Sequence, residues 1–195
     1  MKDNLLCAIL AHTIKNPQAA ADSLMKRFGS FTSVAEADVL AISDTLGGEG
    51  ATSVYIKLVA AIVSRRNSDL FKFGKKHTDD EIERYFVSLF FGLSVETVYI
   101  LSVKNGKIIS CDKAGEGTVN ASNVLPRRLL EIAKRHSADS LIIAHNHPGG
   151  YATPSDEDIA GTQTLCEFLR SSGINLLSHY VVAGVDCKKI DLTLK

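Results

Sequence analysis

The sequence has no tryptophan, only two methionines and four prolines, and no net charge, with 22 basic residues against 22 acidic ones. A balanced chain lacks the broad basic field that marks a nucleic-acid or anionic-membrane binder. The charge is slightly uneven: residues 1–76 carry 10 Lys and Arg against 7 Asp and Glu, too small a surplus to argue a DNA partner. No apolar run approaches the ~20 residues of a membrane span, and Leu141-Ile142-Ile143-Ala144 is typical of the longest. The start, Met1-Lys2-Asp3-Asn4, has no signal-peptide pattern. Cysteine is sparse and scattered. Cys7, Cys111, Cys166 and Cys187 form no C-x-x-C pair, which argues against a disulfide framework or a thiolate zinc site. They read as reduced thiols of a cytoplasmic protein. Two common catalytic signatures are missing as well. Gly106-Lys107 is followed by Ile108, so there is no phosphate loop, and no G-x-S-x-G elbow occurs.

What is present fits one good domain plus a small one in 195 residues. Residues 4–15, 18–28, 34–43 and 51–66 carry apolar residues at three- and four-residue spacing and read as helices, punctuated by Gly29 and Gly47-Gly48. Residues 67–77 read as a polar linker with Lys72, Lys75 and Lys76. Thr78 can cap a helix running to about Phe91, with Asp79, Asp80 and Glu81 in its first turn. The character then changes to β. Residues 97–103 and 107–111 flank the hairpin signal Asn105-Gly106. A helix over 123–136, a buried strand over 140–144, and a helix from Thr153-Pro154 to Gly173 follow, with Thr153 as N-cap. Strands are expected at 176–183 and 189–194. The order is a helical domain over about 1–70, then β-β-α-β-α-β-β over 78–195: an α/β sandwich behind a small all-α domain.

The strongest chemical signal is His145-Asn146-His147 with Ser155 and Asp158 downstream. Histidines at i and i+2 at a strand end project from one face. The intervening Pro148–Pro154 stretch is rich in turn formers, so Asp158 can return to meet them. Two imidazoles, one carboxylate and a fourth position for water make up a catalytic zinc site rather than a closed structural one. Rival patterns do not fit. A metallo-β-lactamase has Asp and His where this chain has Gly149 and Gly150, and the chain is too short for the barrel of an amidohydrolase.

The motif H-x-H, seven residues, S-x-x-D resembles that of the JAMM (MPN-type) metalloproteases. The wider segments AHNHPGGYATPSDEDI and NVLPRRLLEIA resemble the RadC-like branch of that superfamily. The resemblance implies a JAMM-like (cytidine-deaminase-like) α/β fold. It implies Zn2+ held by His145, His147 and Asp158, and hydrolysis of an amide or isopeptide bond in a peptide or small substrate. It gives Ser155 a role in stabilising the oxyanion, which competes with a helix N-cap role for the same oxygen. It places a general base on a Glu at the start of an upstream strand. Glu96 stands at that place. Glu116 is its competitor, although Gly115 and Gly117 around it suggest a turn. His179 follows Ser178 where the family usually has Asp; it reads as a structural strand histidine outside the metal ligands, with a role in supporting them left open. His12, His77 and His136 read as surface or helix residues.

The N-terminal part resembles the helix-hairpin-helix region of RadC-like proteins around Gly48-Glu49-Gly50-Ala51. Glu49 replaces the usual apolar residue, and a negative charge at that turn opposes phosphate binding. This domain therefore reads as a packing or interaction module. The alternative function is a non-catalytic, DNA-repair-associated binding protein.

Overall fold

A computed structural model describes residues 4–117 and 124–192. The chain divides into two compact units, Met1–Arg66 and Asn67–Lys195. The first is helical: α1 (Asn4–Leu10), α2 (Pro17–Phe28), α3 (Phe31–Glu36), α4 (Val39–Thr45) and α5 (Gly50–Leu70), the last running on past the unit boundary. Leu6, Leu10, Leu24, Ile42 and Ile56 are fully buried at its centre. Side-chain caps set the starts. Asn16 accepts from the Ala19 N–H ahead of Pro17 at the first turn, and Ser30 accepts from the Ser33 N–H.

Three expectations for this region change. The helix expected over 34–43 is two short ones. Asp38 accepts from the Leu40 N–H at 2.7 Å and starts α4 afresh, a local side-chain bond that competes with helix propagation. The first helix stops at Leu10 rather than Lys15, because turns over 11–13 follow it. The linker is shorter, since α5 continues through Leu70. Between α4 and α5, Gly47 and Gly48 take positive φ, and Glu49 is exposed.

The second unit contains α6 (Asp79–Phe90), β1 (Thr97–Lys104), β2 (Lys107–Glu116), α7 (Val124–His136), β3 (Ser140–Asn146), α8 (Asp156–Ser171), β4 (Asn175–Ala183) and β5 (Asp186–Ile190). Thr78 caps α6 as expected, and the Glu81 side chain reaches back to the Thr78 N–H to complete a capping box. Asn105 and Gly106 both have positive φ, the geometry of a two-residue hairpin turn. The hairpin is longer than expected because β2 pairs on to Glu116, opposite Thr97. The last strand lies earlier than 189–194, pairing Asp186 with Ala183 and Ile190 with His179. Of the expected helix over 123–136 and the expected strand, Asn123, Thr193 and Leu194 lie outside the described residues.

The sheet order is β2-β1-β3-β4-β5, with β3 and β4 parallel and the other neighbours antiparallel. Strand β3 is central, and all seven of its residues are buried. Its alternation divides two cores. Ile142 and Ala144 join Phe86 and Phe90 of α6, with Leu101, Tyr180 and Val182. Leu141 and Ile143 join Leu129 and Ile132 of α7 and Leu165 and Leu169 of α8. The result is an α/β sandwich with α6 on one face and α7 and α8 on the other. Among the described residues no helix is long and apolar enough to cross a membrane.

Phe86 is fully buried between α6 and the sheet, its ring centroid 5.7 Å from that of Tyr180. Phe86→Ala is expected to lower unfolding free energy by about 3–5 kcal/mol, through lost apolar burial and the cavity left behind. The urea midpoint reads this out, and a shift of a few tenths of a kcal/mol would contradict the packing described.

Candidate metal centre

The period of two that sorts the core also builds the site. His145 and His147 share the parity of Leu141 and Ile143, so both emerge on the face covered by α8. The His147 N–H donates to the Val182 carbonyl at 2.8 Å, holding the chain against β4 one residue beyond the end of β3. A turn follows, with the Gly150 N–H donating to the His147 carbonyl and Gly149 at positive φ. Helix α8 then begins at Asp156, with Ser155 as its N-cap. This corrects the expected cap at Thr153, whose hydroxyl instead lies 3.3 Å from the Lys188 ammonium. The reason is Asp158, three residues after Ser155. Its Oδ2 accepts from the Ser155 N–H at 2.8 Å, while its own N–H donates to Ser155 Oγ at 3.1 Å. That reciprocal box fixes the start of the helix.

The box also aims Asp158. Its Oδ1 lies 3.1 Å from His145 Nε2, and its Oδ2 lies 3.4 Å from His147 Nε2. The two imidazole nitrogens are 3.0 Å apart. One ligand atom from each of the three residues lies within 4.8 Å of the others. His147 Nδ1 is 3.0 Å from the Tyr151 carbonyl, which can only accept, so the ring donates there and turns its Nε2 toward Asp158. Burial alone would raise the Asp158 carboxyl. The adjacent His145 imidazole and the two hydrogen bonds from Ser155 outweigh burial and hold it well below the ordinary carboxylate range. Asp158 is therefore an anion at neutral pH. The donor chemistry fits a zinc ion: imidazole nitrogen and carboxylate oxygen, converging from three directions in a partly buried recess.

A cavity of about 120 Å³ adjoins this cluster. Glu96, Val98, Ile143 and Leu165 line it together with His145 and Asp158. Glu96 thus shares a cavity with two of the candidate ligands, although its position just ahead of β1 is exposed. Glu116 differs. It sits at the end of edge strand β2 and accepts from the Lys113 ammonium at 2.6 Å. Ser155 is already engaged, its hydroxyl donating to Asp158 Oδ2 at 2.7 Å.

Comparison with known proteins gives the family. Residues 76–189 match the RadC-like JAB domain. The chain belongs to the RadC-like JAB-domain family. It is 34% identical to a UPF0758 protein of Chromobacterium violaceum, an alignment covering 94% of this chain and 84% of that one. It is 31% identical to a UPF0758 protein of Cupriavidus pinatubonensis over 88% of this chain and 76% of that one. A UPF0758 protein of Vibrio parahaemolyticus is 32% identical over 83% and 73%. The α/β sandwich is the JAB-like fold, and the His-His-Asp cluster lies within its matched segment.

Three polar residues brace this cluster; sequence reasoning left the role of His179 open and missed Asn146 and Thr162. Asn146, between the two histidines, is buried. Its Oδ1 accepts from the Thr97 N–H at 2.7 Å, and its Nδ2 donates to the Val95 carbonyl at 3.3 Å. It therefore grips the backbone on both sides of Glu96. The other two are His179, buried on β4 with its Nε2 2.9 Å from His145 Nδ1, and Thr162 on α8. Burial first, then the neighbouring His145, push the His179 imidazole down to about 3, with Asp158 opposing. Only the H-x-H spacing pointed toward Asn146, and nothing local marked Thr162. His77 also departs from expectation. Its ring stacks on Phe71 at 4.0 Å and its side chain is largely buried, away from this cluster.

Asn146→Ala leaves the buried Thr97 N–H without its acceptor. The expected cost is about 1–3 kcal/mol of stability, measured by denaturant unfolding. An unchanged midpoint would show that the clamp contributes nothing.

Proposed function

We propose that this protein is a zinc-dependent hydrolase that cleaves an amide or isopeptide bond with water. One observation carries the reading. The Nε2 atoms of His145 and His147 and the carboxylate of Asp158 converge, and Glu96 lines the cavity beside them. A zinc ion held by these three residues would supply a positive charge that polarises a carbonyl and acidifies water.

The chain's own groups supply the rest. Glu96, held by the Asn146 clamp on its flanking backbone, takes a proton from the attacking water as the new C–O bond forms. It returns that proton to the leaving nitrogen as the C–N bond breaks, so the products are a carboxylic acid and an amine. The Ser155 hydroxyl donates to the oxyanion that develops on the former carbonyl oxygen. Its present bond to Asp158 keeps it at the site, and redirecting that proton is the switch the role requires. The apolar lining from Val98, Ile143 and Leu165 keeps that side of the cavity poor in water, which strengthens each of these interactions. An amide substrate is favoured over DNA as the partner, since exposed Glu49 puts a negative charge at the α4–α5 turn.

Elemental analysis of purified protein is expected to find about one zinc per chain, and none above background in His147→Ala. A metal-free wild type, or full zinc content in the variant, would refute the ligand assignment. Glu96→Gln is expected to keep the wild-type zinc content and to lose on the order of 10²–10⁴-fold in hydrolysis of an amide substrate found by screening. Glu116→Gln is expected to keep most activity. The reverse pattern would make Glu116 the base, and two fully active variants would count against this mechanism altogether.

A further inference from the structure

The buried side of helix α5 is less apolar than its exposed side. Within the first unit, the inward side carries Thr52, Ser53, Ile56 and Ala60, so two of these four buried side chains are hydroxyls. The outward side carries Val54, Leu58 and Ile62 at four-residue intervals, 55%, 54% and 59% exposed. This reverses the pattern of an ordinary amphipathic surface helix, which turns its apolar stripe to the core. Side chains four apart are neighbours on a helix, so the three form one continuous row. Ala51 and Ala61 are exposed beside it, and their small side chains let a second helix come close. A contiguous apolar row left to water is the mark of an interaction site.

The row also selects its occupant. A two-fold interface needs a surface that complements itself. Val54 and Ile62 are both β-branched, similarly exposed, and stand four residues either side of Leu58. With a two-fold axis at Leu58 and the helices antiparallel, Val54 meets the partner's Ile62 on each side of the axis, and Leu58 meets the partner's Leu58. Charge agrees with that direction. Exposed Glu49 immediately precedes α5, and exposed Arg65 and Arg66 stand toward its other end. Ala51 and Arg65 each lie seven residues from Leu58, close to two full turns, and so fall on the same face. The antiparallel arrangement sets the partner's Arg65 over Ala51, where there is room for it, and beside Glu49. A parallel arrangement would set Glu49 against the partner's Glu49 and Arg65 against the partner's Arg65. We propose that this protein forms an antiparallel two-fold dimer through the exposed face of α5. The helical unit then serves as an assembly module, and zinc plays no part in the contact. One helix per copy is at the small end of specific interfaces, so the association is reversible and in the micromolar range.

Sedimentation velocity of the full chain, from low micromolar concentration upward, is expected to show reversible conversion of monomer to dimer. Leu58→Glu places two carboxylates on the axis and is expected to weaken dimerisation about 30-fold or more. Ile62→Lys is expected to weaken it likewise. Both side chains are exposed, so both variants are expected to keep the wild-type urea midpoint, measured where wild type is monomeric. Cross-linking reads the direction. Under mild oxidation, Val54→Cys mixed with Ile62→Cys is expected to give a disulfide-linked dimer. Either variant alone is expected to give no more than wild type, whose Cys7, Cys111, Cys166 and Cys187 set the background. In the antiparallel pair the two copies of position 54 lie about 12 Å apart along the helix, too far for a disulfide. A wild type that stays monomeric at every concentration overturns the dimer, whether or not another protein covers the face. A dimer that survives both substitutions puts the interface elsewhere and overturns it too. Cross-linking of Val54→Cys with itself overturns the antiparallel pairing.

Discussion

Burial of β3 on both faces is the constraint from which the rest of this domain follows. A strand buried on both sides must supply apolar side chains at every position, and its alternation commits each one to a particular core. Ile142 and Ala144 hold α6, while Leu141 and Ile143 hold α7 and α8. The same parity, carried two steps further, sends His145 and His147 toward α8. A slip of one residue in register would exchange the cores and turn both imidazoles to the opposite face. Core packing and site geometry are therefore a single constraint, set by the pairing of β3 with β1 and β4.

The second organising feature is the double use of Asp158. As the third residue of α8 it accepts from the Ser155 N–H and caps the helix. As an anion near two imidazoles it completes the candidate metal centre. One carboxylate does both because it has two oxygens and several lone-pair directions. The helix N-terminus, where backbone N–H groups carry partial positive charge, stabilises the anion. Ser155 is tied to the same residue, since its hydroxyl is both the cap and the proposed donor to a developing oxyanion. The start of α8 is at once a structural terminus and the proposed catalytic wall.

Much of the fold was legible in the sequence. The change from helical spacing to β-branched runs separated the two regions, Asn105-Gly106 announced the hairpin, Thr78 and Glu81 announced a capped helix, and the order β-β-α-β-α-β-β is the one observed. The misplaced features were those that neighbours decide. Asp38 split a continuous apolar pattern by capping, a choice between two local bonds of similar strength. Thr153 and Ser155 were both good N-caps by residue type, and the reach of Asp158 chose between them. The far end of β2 depended on its partner strand, because edge pairing has no strong one-dimensional signal.

For the site, H-x-H with a downstream Ser and Asp was enough to point to two imidazoles and a carboxylate, because strand parity and a following turn are local geometry. Family membership was written there too, in contiguous residues. Three things belonged to the tertiary structure alone. The sequence favoured Glu96 over Glu116 as the residue at a strand start, but no fixed spacing tied either one to the histidines. Only folding put Glu96 beside the histidines' cavity and left Glu116 paired with Lys113 on an edge strand. Asn146 became a clamp only because β1 passes beside β3, 49 residues away in sequence from the Thr97 it holds. His179 and Thr162 came within hydrogen-bonding distance of each other and of His145 only when β4 lay parallel to β3 beneath α8. A sequence can specify which groups are able to bind a metal, because that is a property of residue type and short spacing. Which further polar groups brace them depends on partners brought in from distant segments, and that was decided by the fold.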